Sequence, residues 1–259
     1  MNIDSYLRRI GWQGALDTGL TTLQRLHFLH STNVPFENLD IQLGRNISLD
    51  LESLERKIVQ NSRGGYCFEQ NTLFYAVLRE LGFDVIACEA RVKMGTRVIT
   101  PRTHMMLIVS LEGERYLVDV GFGGEGLMHP VLIDAGEQQQ FLWKYRLVRD
   151  DRFYVLQSER KTGWLDLYQF VPEHRHPVDF EVANWYTSTH PQSRFVLTLT
   201  AQLPTPEARF ILRNRTLVID RVAVEETHEI GSRQELITIL RERFKLPFPP
   251  ETSFRNPVF

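Results

Sequence analysis

The apolar residues of this chain change their spacing once, near residue 82, and that change limits the folds open to it. In "LTTLQRLHFLH" the leucines recur every third residue, as on one face of a helix, and Asp50 is predicted to cap a further helix in "LESLERKIVQ". Beyond the change, "VIACEARV", "HMMLIVSL" and "RYLVDVGF" are short apolar runs separated by turn formers, as in strands. Helices followed by strands predict an α+β protein.

We divide the chain into a helical part over residues 1–82, a β-rich part over 83–190 and a mixed part over 191–259. Further strands are predicted at "WKYRLVRD" and "RFYVLQSE", and a strand pair at "FVLTLT" and "TLVIDRV". Ser232 and Glu235 in "SRQE" have the spacing of a capping box, which predicts that the last helix begins there.

Composition excludes several classes of function. With 259 residues, 42% of them hydrophobic and 24% charged, the chain has the length and mixture of a globular protein. A net charge of −2 gives no basic field for nucleic acid, and no apolar run approaches the roughly 20 residues of a membrane span. The first residues lack a signal-peptide pattern, and two cysteines make no disulfide framework. We therefore expect a cytoplasmic protein without nucleic-acid or membrane partners.

Cys67 lies in "RGGYCFEQN", directly behind two glycines and at the start of a predicted helix. In a first helical turn, unpaired N–H groups and the helix dipole favour a thiolate, the reactive form of cysteine. Gly64 and Gly65 carry no Cβ, so backbone or substrate can approach closely. The alternative is a small buried hydrophobic residue, the usual role of a free cysteine and the one expected for Cys88. This segment alone leaves both possibilities open.

A histidine and an aspartate on one hairpin are candidate partners for the cysteine. If Glu112 and Gly113 form the turn of "HMMLIVSLEGERYLVDVGF", His104 and Asp119 become diagonal neighbours on one face, roughly 7–8 Å apart at Cα. A three-residue loop would put them on opposite faces. An aspartate between two valines is costly unless it is paired. Because a catalytic cysteine needs a base and a group that orients it, His104 and Asp119 are predicted to serve Cys67.

The remaining polar motifs give weaker signals. His174 and His176 in "PEHRHP" have no further ligands at zinc-like spacing, so no metal site is predicted. His27 and His30 are expected to face solvent or to cap a neighbouring element. "GFGGEG" lacks the lysine of a P-loop and the spacing of a dinucleotide-binding loop, and it is expected to be a mobile loop near the site.

Four segments together closely resemble the arylamine N-acetyltransferases: "VPFENLD", "RGGYCFEQN", "RTHMMLIV" and "LVDVGFGG". They hold the cysteine, histidine and aspartate in the order and spacing of that family, and "NWYTSTHPQSRF" resembles its later signature. The resemblance runs to about Phe195 and continues more loosely through the tail. It implies an N-terminal helical bundle, a central antiparallel β-barrel and a C-terminal α/β lid, with a cysteine-protease-like Cys–His–Asp site.

The resemblance also implies an activity, the transfer of an acetyl group from acetyl-CoA to an arylamine, a hydrazine or an N-hydroxyarylamine. Cys67 is then the nucleophile that accepts the acetyl group, His104 its base, and Asp119 the group that orients His104. One thiol accepts the acetyl group and then hands it on, so the kinetics should be ping-pong. Coenzyme A and a small amine or hydrazine are the expected partners, and no metal is required.

By the same resemblance, four residues are expected to line the amine pocket: Phe36, Val92, Phe122 and Phe195. An aromatic acceptor can stack on such rings, while core packing is the alternative role for any single phenylalanine.

Other residues are expected to support the site. Gly123 and Gly124 would approach the coenzyme, and a pair between Arg63 and Glu37 would tie the cysteine segment to "PFENLD", provided that it is well hydrogen-bonded. The chain is short at its end, "LPFPPETSFRNPVF", relative to some members of the family, and "MGTRVITPR" is expected to shape the cleft. Both features bear on the acceptor and on how the coenzyme binds.

Three alternatives remain open at this point. An amide synthase of the same superfamily would use the same triad to close a macrolactam from a carrier-bound polyketide. A cysteine hydrolase or transglutaminase-like enzyme would pass the acyl group to water or lysine. A binding module with an inert cysteine would require separate structural reasons for the cysteine, the histidine and the aspartate.

Overall fold

The computed structural model describes residues 1–257. Its helical elements, in chain order, are α1 (Ile3–Ile10), α2 (Leu20–Asn33), α3 (Leu39–Gln42), α4 (Leu51–Leu54), which continues into a π-helical segment (Glu55–Gln60), α5 (Cys67–Glu80), α6 (Pro177–Thr189), α7 (Arg194–Leu197) and α8 (Arg233–Glu242). Its strands are β1 (Phe36–Glu37), β2 (Asp84–Val92), β3 (Arg102–Leu111), β4 (Glu114–Val118), β5 (Val131–Leu132), β6 (Glu137–Gln140), β7 (Trp143–Asp150), β8 (Phe153–Arg160), β9 (Gly163–Phe170), β10 (Thr200–Pro204), β11 (Arg209–Arg213), β12 (Thr216–Asp220) and β13 (Glu225–Glu229). The α+β class is confirmed.

The helix starts read from the sequence are confirmed. The Asp50 side chain accepts the backbone N–H of Ser53, and that of Ser232 accepts the N–H of Glu235. Helix α5 begins at Cys67 and buries one apolar face, composed of Leu73, Phe74, Val77 and Leu78.

The prediction that His27 and His30 face solvent is wrong. His27 and His30 lie on the buried side of α2, and neither is exposed to solvent. Each is satisfied there by hydrogen bonds: the Tyr6 hydroxyl contacts His30 Nδ1 at 2.8 Å, and His27 Nε2 accepts a backbone N–H at 3.2 Å. Polar residues can occupy the core when their hydrogen bonds are made, which an apolar stripe by itself does not reveal.

Eight antiparallel strands form the larger sheet, in the order β5-β4-β3-β2-β9-β8-β7-β6. Its two edges come together, because Gln138 on β6 exchanges two hydrogen bonds of 2.8 Å with the backbone of Leu132 on β5. Gln140 likewise accepts the backbone N–H of Met128 at 2.9 Å. The sheet therefore closes nearly into a barrel, with its edges joined by glutamine side chains. The central strand β9, in "GWLDLYQF", was not predicted from the sequence.

The hairpin between β3 and β4 has the predicted register. Leu111 pairs with Glu114 and Leu107 pairs with Val118 around a turn made by Glu112 and Gly113. Both turn residues have positive φ, 54° and 83°, as a two-residue turn of type I′ requires. The inner side chains at the far end of this hairpin therefore lie on one face of the sheet.

The smaller sheet has the order β1-β10-β11-β12-β13, so the strand at residues 36–37 pairs with β10, more than 160 residues further along the chain. The strand predicted at "FVLTLT" is wrong in position: Arg194–Leu197 is helical and the strand is Thr200–Pro204. "TLVIDRV" is a strand, but it lies between β11 and β13. Helix α8 covers this sheet through Leu236, Ile237 and Leu240.

Among residues 1–257 no helix has the length and apolar character needed to cross a bilayer.

The turn at Glu112 offers a test of the hairpin. A residue with a Cβ is disfavoured at positive φ, and asparagine tolerates it better than glutamate. We expect Glu112→Asn to raise the free energy of unfolding by about 1 kcal/mol in urea denaturation. The control Glu112→Ala removes the carboxylate without relieving the backbone and should give no such gain. Equal effects from both variants would show that backbone strain at this position is not what limits stability.

Candidate active site

Cys67 is the first residue of α5, and only 3% of it is exposed. The turn before it depends on the glycine pair: a Cβ on Gly64 would lie 1.9 Å from the carbonyl oxygen of Pro35, and one on Gly65 would lie 2.8 Å from the Cβ of Glu69. The close approach predicted for these glycines is thus made by the protein itself. It brings the cysteine turn directly against the chain that enters β1.

His104 and Asp119 meet as the hairpin register predicts. His104 Nε2 lies 2.7 Å from Asp119 Oδ2, and both side chains are buried. Burial disfavours the imidazolium, but the charge of Asp119, its hydrogen bond and the hydrogen-bonded Cys67 sulfur together raise the pKa of His104 to about 10. Burial also opposes ionisation of Asp119, but the charge of His104 and the hydrogen bonds to the carboxylate lower its pKa. The pair is therefore ionised at neutral pH.

Three further contacts hold the Asp119 carboxylate and backbone. Oδ1 accepts the Asn71 amide at 2.9 Å and the backbone N–H of Gly121 at 2.9 Å. The Asp119 N–H donates to His27 Nε2 at 3.2 Å, and burial lowers the pKa of His27 to about 3, so that this ring is a neutral acceptor. Asn71 and His27 were not predicted. Asn71 follows Cys67 by four residues on the same helix, and that spacing was a usable signal.

Helix α5 and the hairpin approach each other closely beside the cysteine. A Cβ on Gly121 would lie 2.8 Å from Cys67 Cα and 2.8 Å from the Asn71 amide nitrogen. Asn71 also donates to the carbonyl of Met105 at 2.8 Å and accepts from the N–H of Val120 at 3.1 Å. One amide side chain therefore joins the helix to β3 and to the segment that follows β4.

A cavity of about 440 Å³ opens above these residues, a volume typical of small-molecule sites. It is lined by Cys67 and His104 and by all four residues predicted for the amine pocket, Phe36, Val92, Phe122 and Phe195. The rings of Phe36 and Phe195 lie 5.9 Å apart between centroids. A planar ring therefore has an aromatic wall to pack on.

Two aromatic rings hold the imidazole from the barrel side. The His104 ring lies 5.0 Å from the Phe122 ring and 4.8 Å from the Tyr168 ring, measured between centroids. Tyr168 comes from β9, the strand that was not predicted, and it is fully buried. The two rings exclude water from one side of the imidazole.

The glycine loop after Asp119 contacts the smaller sheet. A Cβ on Gly123 would lie 2.7 Å from Gln202 Oε1, and one on Gly124 would lie 2.6 Å from Ile211. The N–H of Gly124 donates to Gln202 Oε1. Gly123 and Gly124 therefore let the loop pack closely on β10 and β11 at the border of the cavity.

Arg63 and Glu37 form the predicted pair, within a larger buried cluster. Arg63 Nη2 lies 2.7 Å from Glu37 and Nη1 lies 3.3 Å from Asp40, while Lys57 bridges Asp40 and Glu69 at 2.7 Å each. Burial raises the pKa of Glu69 to about 7 against the opposing charge of Lys57. Glu69 Oε2 accepts the N–H of Tyr66, the residue before the cysteine, at 3.1 Å. The cluster thus fixes the cysteine turn.

The described residues 1–257 contain no group of three His, Cys, Asp or Glu side chains arranged to hold a metal ion. The rings of His174 and His176 do contact each other, edge to face, with centroids 5.1 Å apart. Cys88 is completely buried in the barrel core, as predicted.

The His104–Asp119 pair predicts a change in titration. The unfolded histidine titrates near 6.5, so the stabilisation from the raised pKa is complete below that pH and is lost as the pH rises through about 10. In Asp119→Asn the opposing charge is removed while burial remains, and we expect NMR titration to show a much lower His104 pKa. Asp4→Asn, on the exposed side of α1, is the matched control and should leave it unchanged. A His104 pKa that stays near 10 without Asp119 would contradict this account.

The buried cluster predicts a large stability difference between two arginines. Arg63→Met leaves the carboxylate of Glu37 buried without its partner, which costs about 3–5 kcal/mol of unfolding free energy. Arg56→Met is the control, because its partner Glu52 is exposed and such a pair contributes about 0.5 kcal/mol or less. Urea denaturation compares the two, and similar losses would show that the cluster does not stabilise the cysteine turn.

Comparison with known proteins identifies the family. The model of the N-acetyltransferase family matches residues 19–252. The arylamine N-acetyltransferase of Mycolicibacterium smegmatis is 39% identical over 251 residues, which cover 94% of this chain and 91% of the relative. That of Escherichia coli is 41% identical over 195 residues, 74% of this chain and 69% of the relative.

Solved structures agree with the sequence comparison. A C70Q form of the Mycobacterium smegmatis enzyme superposes with a TM-score of 0.91 at 39% identity, covering 95% of this chain and 93% of the other. The Mycobacterium marinum arylamine N-acetyltransferase, solved in complex with CoA, gives a TM-score of 0.91 at 36% identity, with 95% and 93% covered. The chain belongs to the arylamine N-acetyltransferase family and is an acyltransferase.

Proposed function

We propose that this protein transfers the acetyl group of acetyl-CoA to an arylamine through an acetyl thioester on Cys67. The observation that carries the proposal is the joint placement of the Cys67 thiol and the His104–Asp119 pair at one aromatic-walled cavity. The relative from Mycobacterium marinum, which binds CoA, supports the identity of the donor. No step of the scheme needs a metal ion.

In the first half-reaction, the thiolate of Cys67 attacks the carbonyl carbon of the thioester. A bond from the Cys67 sulfur to the acetyl carbon forms, and the bond from that carbon to the coenzyme sulfur breaks. The coenzyme leaves as a thiolate and takes the proton of the His104 imidazolium. The enzyme then holds an acetyl-cysteine beside a neutral imidazole.

In the second half-reaction, the nitrogen of the acceptor amine attacks the acetyl carbon. His104 takes a proton from the amine as the new C–N bond forms, and the bond to the Cys67 sulfur breaks. This returns the thiolate–imidazolium pair and releases the acetylated amine. One residue carries the acetyl group between two substrates, so the kinetics are ping-pong.

Asp119 acts through His104 in this scheme. The carboxylate stabilises the imidazolium, and its hydrogen bond to Nε2 leaves Nδ1 as the ring nitrogen that exchanges protons with the thiol and the amine. Asn71 and Gly121 fix the carboxylate in turn. Pre-organisation of this kind lowers the cost of forming the charged pair at the moment of reaction.

The cavity walls suit an aromatic acceptor. Phe36 and Phe195 offer ring faces, and Val92 and Phe122 complete the apolar lining. The same nucleophilic attack can be made by a hydrazine nitrogen, or by the oxygen of an N-hydroxyarylamine in O-acetylation. We include both acceptor classes in the proposal.

We propose further that the three predicted parts of the chain meet at the cavity. Its lining comes from 1–82 through Cys67, from 83–190 through His104, and from 191–259 through residues near Phe195. Gly123 and Gly124 lie at the border between the barrel and the smaller sheet. We propose that the coenzyme runs past this loop, which can lie close against Gln202 and Ile211 because Gly123 and Gly124 carry no Cβ.

The proposal is tested by intact-protein mass spectrometry after brief exposure to acetyl-CoA without acceptor. We expect one acetyl group on the wild type, none on Cys67→Ala, and one on the control Cys88→Ala, because Cys88 is buried in the barrel core. Adding an arylamine should discharge it.

Absence of any acetyl group on the wild type would contradict the proposal. Carrier-bound acyl donors would then have to be tried, as for an amide synthase. Discharge to water at the same rate with and without amine would instead indicate a cysteine hydrolase.

A further inference from the structure

The charged side chains that line the cavity fall into two groups. Those of the first group have partners: Lys93 lies 2.8 Å from Asp166, and Glu125 is held by Arg160 and by Arg209, the latter at 3.2 Å. These charges are compensated within the protein. They leave no net charge for a ligand to meet.

Arg194 and Arg213 form the second group. Both line the cavity, and among residues 1–257 no carboxylate forms an ion pair with either guanidinium. Burial, and then the positive charge of Arg194, lower the pKa of Arg213. Two arginines that face one cavity and repel each other make an electrostatic arrangement that an anion would relieve.

Their position relative to the aromatic wall follows from the chain. Arg194 directly precedes Phe195, and Arg213 pairs with Thr200 across β10 and β11. Thr200 is two residues from Gln202, the strand partner of Phe36, and two residues of strand span about 6.6 Å. Arg213 thus lies on the same face of the smaller sheet as Phe36, and Arg194 adjoins Phe195 in the chain.

We propose that Arg194 and Arg213 determine acceptor specificity by binding an anionic substituent, a carboxylate or sulfonate, carried on the ring of the arylamine. This inference rests on the proposed function, because it concerns the second substrate of the same site. The ring packs on Phe36 and Phe195, and its anionic group reaches the guanidiniums, whose planar fork matches a carboxylate. Arg213 is half-buried and Arg194 is exposed. Hydrogen bonds between two charged groups at such a half-buried position are strong enough to set a preference.

The test isolates the acceptor half-reaction. The acetyl-enzyme is formed with 4-nitrophenyl acetate, and its discharge is followed by mass spectrometry with 4-aminobenzoate and with 4-aminobenzamide, which has nearly the same shape but no charge. We expect the wild type to prefer the carboxylate by about tenfold or more. Arg213→Gln and Arg194→Gln should each lose most of this preference, and Arg241→Gln, an exposed arginine of α8, should keep it.

Other outcomes would overturn the inference in distinguishable ways. A wild type that does not prefer 4-aminobenzoate, or a preference that survives both substitutions, shows that the arginines do not select the acceptor. If the preference survives and the KM for acetyl-CoA rises in the variants, the arginines bind phosphates of the coenzyme instead. Failure of acetyl-CoA to acetylate Cys67 would defeat the proposed function but leave this comparison interpretable, since 4-nitrophenyl acetate supplies the acetyl group.

Discussion

The buried ion pair between His104 and Asp119 is the interaction on which the rest of this site depends. A carboxylate in a barrel wall is costly unless several donors satisfy it, and here the imidazole, the Asn71 amide and the N–H of Gly121 all do so. These donors come from three different segments of the chain. The pair can therefore exist only when helix α5, the hairpin and the loop that follows it are all in place, so the site is assembled by the fold as a unit.

Two glycines allow these segments to approach each other more closely than residues with side chains would. Gly64 lies against the carbonyl of Pro35, and Gly121 lies against Cys67. At both points a methyl group would collide with main-chain atoms that cannot move without shifting a helix or a strand. Cys67 is thus held from both sides by contacts between backbone atoms. The Arg63 cluster adds charge pairs to the same turn, at positions where their loss leaves buried carboxylates unpaired.

The cavity is lined by aromatic rings and by charged side chains. Phe36 and Phe195 supply ring faces, while Arg194 and Arg213 line the same cavity with positive charge that no carboxylate within residues 1–257 pairs. Two further charged residues of the lining, Lys93 and Glu125, form ion pairs within the protein. Under the proposals made above, the groups that would do the chemistry, His104 and Asp119, are held by one network, and those that would select the acceptor, Arg194 and Arg213, lie outside it.

The sequence by itself determined the α+β class, the start of α5 at Cys67 and the register of the β3–β4 hairpin, because helix caps, glycine stops and a two-residue turn are local features with fixed geometry. The positions of His104 and Asp119 followed from that register alone. The sequence did not reveal β9 with Tyr168, the shift of the strand predicted at "FVLTLT", or the burial of His27 and His30. Only the tertiary structure decided these, because each depends on partners far along the chain: β9 on β2 and β8, β10 on β1, and His27 on the backbone of Asp119.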